Sequence, residues 1–262
     1  MRYFFLYFAY MKTFLIKMME YRIDFIIGTI SIVVQQVILL SSITIIFNNI
    51  NTVEGFSRGD FLFMYGISTL GSAICYTFFD GLWTIGGHYI KKGLLDRILL
   101  RPINPLFQII SERIKIEGIA SIILGISILL ISGKTYIDYD SLGEVILLII
   151  FCVSSAFIFA GILLNVATLA FWIVDSLSLM QLVNNFAEYG RYPISIYPKF
   201  LAILLSTVLP FLFTSFFPSS YFIFKDEFQI ISLLTPLVAI FIWMIGILFW
   251  NIGLKRYGSS GT

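Results

Sequence analysis

Charge is scarce in this sequence. Only 12% of its 262 residues are Asp, Glu, Lys or Arg, against about 25% in ordinary soluble domains, so the chain cannot clothe a water-facing surface. Histidine is nearly absent, with His88 alone, and cysteine is limited to Cys75 and Cys152. Two cysteines make no disulfide framework, and the shortage of both residue types leaves no ligand set for a zinc site. Both cysteines lie in long apolar runs and read as small buried hydrophobes. A formal net charge of +2 is too small for nucleic-acid binding by phosphate neutralisation. What the sequence has in abundance is apolar: 59% hydrophobic residues, 27 of its residues Phe, and a mean hydropathy of +0.95. This is the composition of an all-α integral membrane protein, not of a soluble enzyme.

Hydrocarbon about 30 Å thick needs roughly 20 apolar residues in a helix. Six segments meet that demand, near residues 25–47, 61–79, 114–132, 145–174, 200–217 and 230–252, all within one transmembrane domain over 1–262. The fourth is long enough to tilt, and the fifth is short and interrupted by Pro210. With the N-terminus inside, fourteen of the seventeen Lys and Arg fall on the inner side, leaving Arg58, Lys134 and Lys225 outside. That bias places both termini in the cytoplasm. The apolar run from Tyr3 to Met11 ends at Lys12 without a small-residue cleavage site, so it reads as an interfacial helix and not a secretory signal. No internal repeat is visible, which gives no support to an inverted-repeat transporter.

Charges near the spans sit at their ends: Asp80, Lys115, Glu117 and Asp175. The span centres offer Gln35, Gln36, Asn165 and Thr168, which either line a pathway or bridge helices, the commoner use. Gly133-Lys134-Thr135 has the ending of a phosphate loop, but Ile128 stands where its first glycine is needed. His88 lies beside Lys91 and Lys92, a poor setting for a catalytic base. The chain therefore reads as no enzyme, with no cofactor or metal of its own, and any uphill transport draws its energy from a partner.

The loop between the second and third spans carries the most information. Gly93 and Pro102 bracket a helix of about two and a half turns. Leu94, Leu95, Ile98 and Leu99 form one apolar stripe, with Asp96, Arg97 and Arg101 on the other side. Such a helix either transmits force to a soluble partner or rests on lipid headgroups. A second inner segment has an apolar face of Leu179, Leu182, Val183 and Phe186, followed by a contact region at Glu188, Tyr189, Arg191 and Tyr192. On the outer side, Pro210 and Pro236 bracket Phe211, Phe213, Phe216, Phe217, Tyr221, Phe222 and Phe224. Irregular backbone at that depth must be buried or line a cavity, so short outer helices are expected between spans five and six. Phe213, Phe216 and Phe217, with Gln35, Gln36 and Asn165, are the candidates for a pathway and its outer gate.

Several of these stretches are familiar as a set. They are Glu20-Tyr21-Arg22, Lys92-Gly93, Leu95-Asp96, the run from Leu99 to Pro105, and Leu169-Ala170-Phe171-Trp172. Phe186, the run from Glu188 to Pro198, Pro210, Phe217-Pro218 and the ending Gly253 to Tyr257 complete it. Together they resemble the permease subunits of ABC-2-type transporters, in the branch described as uncharacterised ABC transport permeases. The resemblance implies six helices per permease and two permeases per transporter, as a heterodimer or a homodimer. It also implies two cytoplasmic ATPase subunits that hold ATP and Mg, in a bacterial cytoplasmic membrane. It places the ATPase-coupling helix on Lys91, Lys92, Gly93, Leu94, Leu95, Asp96, Arg97, Ile98 and Leu99. It further implies export of hydrophobic or amphipathic compounds, peptides, drugs or lipid-linked material. Arg97, where an apolar residue is common, and Gly258, in place of a serine, are the departures. The rival readings are an ATPase-independent channel or carrier and a membrane scaffold or immunity subunit.

Overall fold

The computed structural model describes residues 2–20, 22–173, 176–224 and 228–258. Among these residues the regular structure is helical, and the β pairing is a single bridge between Val53 and Phe56. Tyr21, Val174, Asp175, Lys225 and residues 259–262 lie outside the described residues. Twelve α-helices follow in order: α1 (Arg2–Glu20), α2 (Arg22–Asn49), α3 (Arg58–Phe78), α4 (Leu95–Leu99), α5 (Pro105–Glu112) and α6 (Gly118–Ser132), then α7 (Leu142–Thr168), α8 (Ser176–Ala187), α9 (Lys199–Ile203), α10 (Phe216–Ile223), α11 (Gln229–Leu233) and α12 (Thr235–Arg256). Five segments are long and apolar enough to cross a membrane: α2, α3, α6 with its extension to Thr135, α7 with its extension to Phe171, and α12.

Local chemistry fixes the start of α3. The Ser57 hydroxyl accepts from the Asp60 amide, and the Asp60 carboxylate accepts from the Ser57 amide at 2.6 Å. This reciprocal cap starts the helix three residues before the apolar run does. At the other end of the loop pair, residues 114–117 are not helical; the Lys115 amide donates to the Thr77 carbonyl at 2.9 Å and pins the foot of α6 to α3. From there α6 runs antiparallel to α3, with Gly118 against Thr77 and Gly66 against Leu129. On its other side α3 meets α7, where Gly71 faces Ser155, and α7 in turn carries α12, with Gly161 against Ile242 and Gly253 against Phe171. Small residues at these crossings let the helices approach closely, which is how packing holds helices together where burial from water gives no drive. By contrast α2 buries only Ile43 and rests on the bundle by one edge. The interfacial α1 touches α5 through Tyr3 and Phe107, whose rings meet edge-to-face at 4.8 Å.

The fifth expected span is not one helix. Residues Lys199–Val208 form ten helical residues, the second half of them wound as a π-helix. That is about 15 Å, half of the hydrocarbon thickness. Pro210, with no amide hydrogen to continue the ladder, ends it. The chain continues as a short 3-10 segment, Phe211–Thr214, and then α10.

A different segment lies along α3. Ser176 sits against Gly86, beyond the C-terminal end of α3. The Tyr76 hydroxyl donates to Asn184, Arg191 stacks over the Tyr65 ring, and Tyr192 packs on Phe61. As the number rises on one side it falls on the other, so Ser176 to Tyr192 runs antiparallel to α3 for nearly its whole length. The sequence reading made this segment the inner connection between the fourth and fifth spans. In the structure its Asn184 and Arg191 side chains are engaged by Tyr76 and Tyr65 of α3, while Ser178, Gln181, Asn185 and Glu188 are exposed.

Phe211 to Ser220 is buried throughout, and side chains satisfy its irregular backbone. Ser155 donates to the Thr214 carbonyl at 2.8 Å and Ser232 to the Phe217 carbonyl at 2.5 Å, while the Ser215 hydroxyl ties the stretch to α3 by donating to the Met64 carbonyl at 2.7 Å. Phe213, Phe216 and Phe217 stack among Phe56, Phe228 and one another. They form the interior of this chain rather than a face open to a second one. Gly190 is where the α8 segment touches this hairpin: a Cβ there would stand 2.5 Å from the Phe211 carbonyl oxygen. Gly190→Ala is therefore expected to destabilise the chain by about 1–3 kcal/mol through overpacking against backbone. Thermal unfolding in detergent measures it, and an unchanged melting temperature would show that the two segments do not approach so closely.

Candidate coupling and intramembrane sites

The first site is the segment from Asp80 to Arg113. A 3-10 turn, Asp80–Thr84, and a π-helical turn, Ile85–Ile90, extend α3. Gly93 then reverses the chain with φ +68°, a left-handed conformation that suits a residue without Cβ. Helix α4 is only five residues long, so the expected four-residue stripe is divided. Leu95 and Ile98 turn inward, into one core with Leu82, Ile85, Leu106 and Ile109. Leu94 is half-buried and Leu99 is exposed, as is Leu100 at 86%. Lys91, Lys92, Arg97 and Arg101 are exposed beside them. Asp96 is half-buried near Tyr257; burial first, and this carboxylate second, push the Tyr257 phenol up.

One carboxylate ties the site together. Glu112 accepts from the Tyr89 hydroxyl at 2.7 Å and from the Gln108 amide at 2.7 Å, and it pairs with Arg101 at 3.3 Å. Arg113 forms a second ion pair with Asp80. The Asn-Pro pair before α5 explains itself as a helix start: the Asn104 side chain accepts from the Phe107 amide at 3.1 Å, and Pro105 occupies the first turn. Sequence reading found the exposed leucines and the prolines but missed Tyr89, Gln108 and Glu112. Only the four-residue spacing of Gln108 and Glu112 was there to suggest their pairing.

The second site lies between α2, α3, α6 and α8. A cavity of about 240 Å³ is lined by Gln35, Gln36, Ser72, Tyr76, Lys115, Ser121, Asn184, Glu188 and Arg191, among others. Arg191 is 8% exposed. Its guanidinium pairs with Glu188 at 2.7 Å and lies 5.4 Å from the centre of the Tyr65 ring, a cation–π contact. The Tyr65 hydroxyl donates to Gln36, and the Tyr76 hydroxyl to Asn184. A buried charge thus packs against the side of α3. Tyr189 and Tyr192, grouped with Glu188 and Arg191 in the sequence reading, do lie next to them. Tyr189 is exposed and its carbonyl accepts from the Tyr197 hydroxyl at 2.6 Å.

The signal for this site was present as a period. Met180, Val183 and Ala187 form the buried face of α8, whereas Leu182, expected on the apolar face, is exposed. On the other side Ser178, Gln181, Asn185 and Glu188 recur at intervals of three and four residues, all exposed, a polar stripe of helical spacing. Asn165 is elsewhere. Its amide donates to the Gly161 and Ile242 carbonyls at 2.8 and 3.2 Å, bridging α7 to α12.

Residues 32–261 match the family model of the ABC-2 family transporter protein. No curated protein and no solved structure matches the chain. The Glu112 junction generates a prediction of its own. Glu112→Ala leaves the buried Gln108 amide and the Tyr89 hydroxyl without their acceptor, and unmet buried donors cost about 1–3 kcal/mol each. The variant is expected to unfold at a lower temperature than Glu112→Gln, which keeps one acceptor oxygen. Equal melting temperatures for the two would remove Glu112 from that role.

Proposed function

The chain belongs to the ABC-2 family of transporter proteins, and from that premise we propose that it is the permease of an exporter driven by separate ATPase subunits. It is a multi-pass membrane protein and the membrane component of an ABC transporter. On our reading it crosses the membrane six times, with Ser176 to Tyr192 as the fifth crossing beside α2, α3, α6, α7 and α12. Lys199 to Ile223 is then a hairpin that enters from the outer side and returns to it. Both termini lie in the bacterial cytoplasm on this reading. Arg191 is then within the bilayer, and twelve cations lie inside against Arg58, Lys134, Lys199 and Lys225 outside, still the inside bias that orients membrane proteins.

The observation that carries the coupling role is the contrast within Asp80 to Arg113. Its apolar interior of Leu82, Ile85, Leu95, Ile98, Leu106 and Ile109 is buried and the segment is cross-tied through Glu112, while Leu99, Leu100 and Arg97 stand exposed at one corner. A rigid body with an apolar tip suits the transmission of movement from an ATPase, where ATP and Mg are bound. A second permease is supported by α2 and α8. Gln35 on α2 and the polar stripe on α8 are exposed, and lipid does not tolerate such groups at depth, so they face another protein or an aqueous path. We propose that two permeases, identical or different, enclose that path and export an amphipathic substrate.

Burying an apolar side chain at the ATPase is worth about 1.5–3 kcal/mol. Leu99→Ala combined with Leu100→Ala is therefore expected to reduce the copurified ATPase at least about tenfold, at normal expression of the permease. Leu95→Ala, by contrast, acts through the fold and lowers the melting temperature. Undiminished ATPase with the double variant would mean that this corner only rests on lipid.

A further inference from the structure

We infer that the cavity between α2, α3, α6 and α8 binds the anionic head group, carboxylate or phosphate, of an amphiphile. The inference deepens the permease reading above, on which it rests, by giving the chemistry of the substrate. Three observations carry it. Arg191 is nine-tenths buried, yet only one side of its guanidinium is engaged by Glu188; its Nε is buried without a partner. Arg191 lines the cavity, and a planar guanidinium with unused N–H donors is suited to a carboxylate or phosphate. Lys115 also lines the cavity, as it does the neighbouring pocket that holds Asp80 and Glu117, and Glu188 is the one carboxylate on the cavity's wall.

The hydrogen-bond directions point the same way. Gln36 and Asn184 each use their side-chain oxygen to accept from a tyrosine hydroxyl. What those amides have left is N–H, so the cavity offers donors. The volume, about 240 Å³, holds several waters at about 30 Å³ each; it admits a head group but not a whole lipid. Ile32 and Leu39 lie at the same wall, on the largely exposed α2, and give a tail an apolar way out.

The test uses the purified full-length chain in phosphatidylcholine nanodiscs, titrated with dodecyl phosphate, dodecanoate, dodecyltrimethylammonium and dodecanol while thermal unfolding is followed. The two anions are expected to raise the melting temperature saturably, and the cation and the alcohol are not. Arg191→Gln is expected to weaken the anion effect at least about tenfold, the equivalent of one charge-assisted hydrogen bond. Should that variant fail to fold, Gln35→Trp, which narrows the mouth and leaves the ion pair alone, is expected to do the same. If phosphatidylglycerol in the nanodisc reproduces the shift and abolishes the response to dodecyl phosphate, the site is confirmed with a bilayer lipid as its source. Equal responses to all four amphiphiles, a preference for the cation, or full anion responses in both variants would overturn the inference. No ATPase enters this measurement, so its failure leaves the permease reading standing. Loss of ATPase copurification alone would not touch the cavity.

Discussion

Hydrocarbon cannot hydrogen-bond, so every polar group at membrane depth must find its partner inside the protein. On the six-crossing reading proposed above, the contact of Arg191 with Glu188 and the Tyr65 ring is where this chain meets that demand. Two opposite charges side by side are far cheaper to embed than either alone, and the Tyr65 ring lies over the guanidinium, whose Nε is left without a partner. With that contact made, the polar Ser176 to Tyr192 segment lies along α3. With it in place, Gly190 brings the backbone of the following hairpin to rest against it, and the phenylalanines of that hairpin fill the space between α3 and α7.

The opposite end of α3 shows the same economy with a different purpose. There the chain abandons regular α-helix for 3-10 and π turns and gathers short elements around Leu82, Ile85, Leu95, Ile98, Leu106 and Ile109. Short elements have few hydrogen bonds of their own, so Glu112 and Asp80 serve as cross-links. Helix α3 runs from this assembly to the cavity that Arg191 lines.

Much of this was legible in the sequence, and the misses have physical causes. Long apolar runs need only composition to be seen, so α2, α3, α6, α7 and α12 were anticipated within a few residues. The motif around Pro102 and Pro105 was visible because proline and asparagine act locally. The lie of Ser176 to Tyr192 along α3 was not visible, because hydropathy treats Glu188 and Arg191 as two costs and cannot register their pairing. The segment 200–217, expected as one span, is a ten-residue helix followed by a buried, irregular stretch, and burial within the protein asks for the same apolar composition. The outer phenylalanines were rightly judged buried, yet nothing in their spacing said that the cover would come from this chain. In the coupling segment the stripe of four apolar residues was real, but a helix of five residues shows two of them to the core and leaves the rest outside.

The placement of Ser176 to Tyr192 decides the rest, and the sidedness of the residues just beyond it decides that placement. Ser195 is exposed, while the native Cys75 and Cys152 are buried and should stay silent toward a thiol reagent. In intact cells a membrane-impermeant maleimide should label Ser195→Cys and leave Lys92→Cys untouched until the membrane is opened. Labelling of both positions only after permeabilisation would put residues 188–198 back on the inner side and contradict the account.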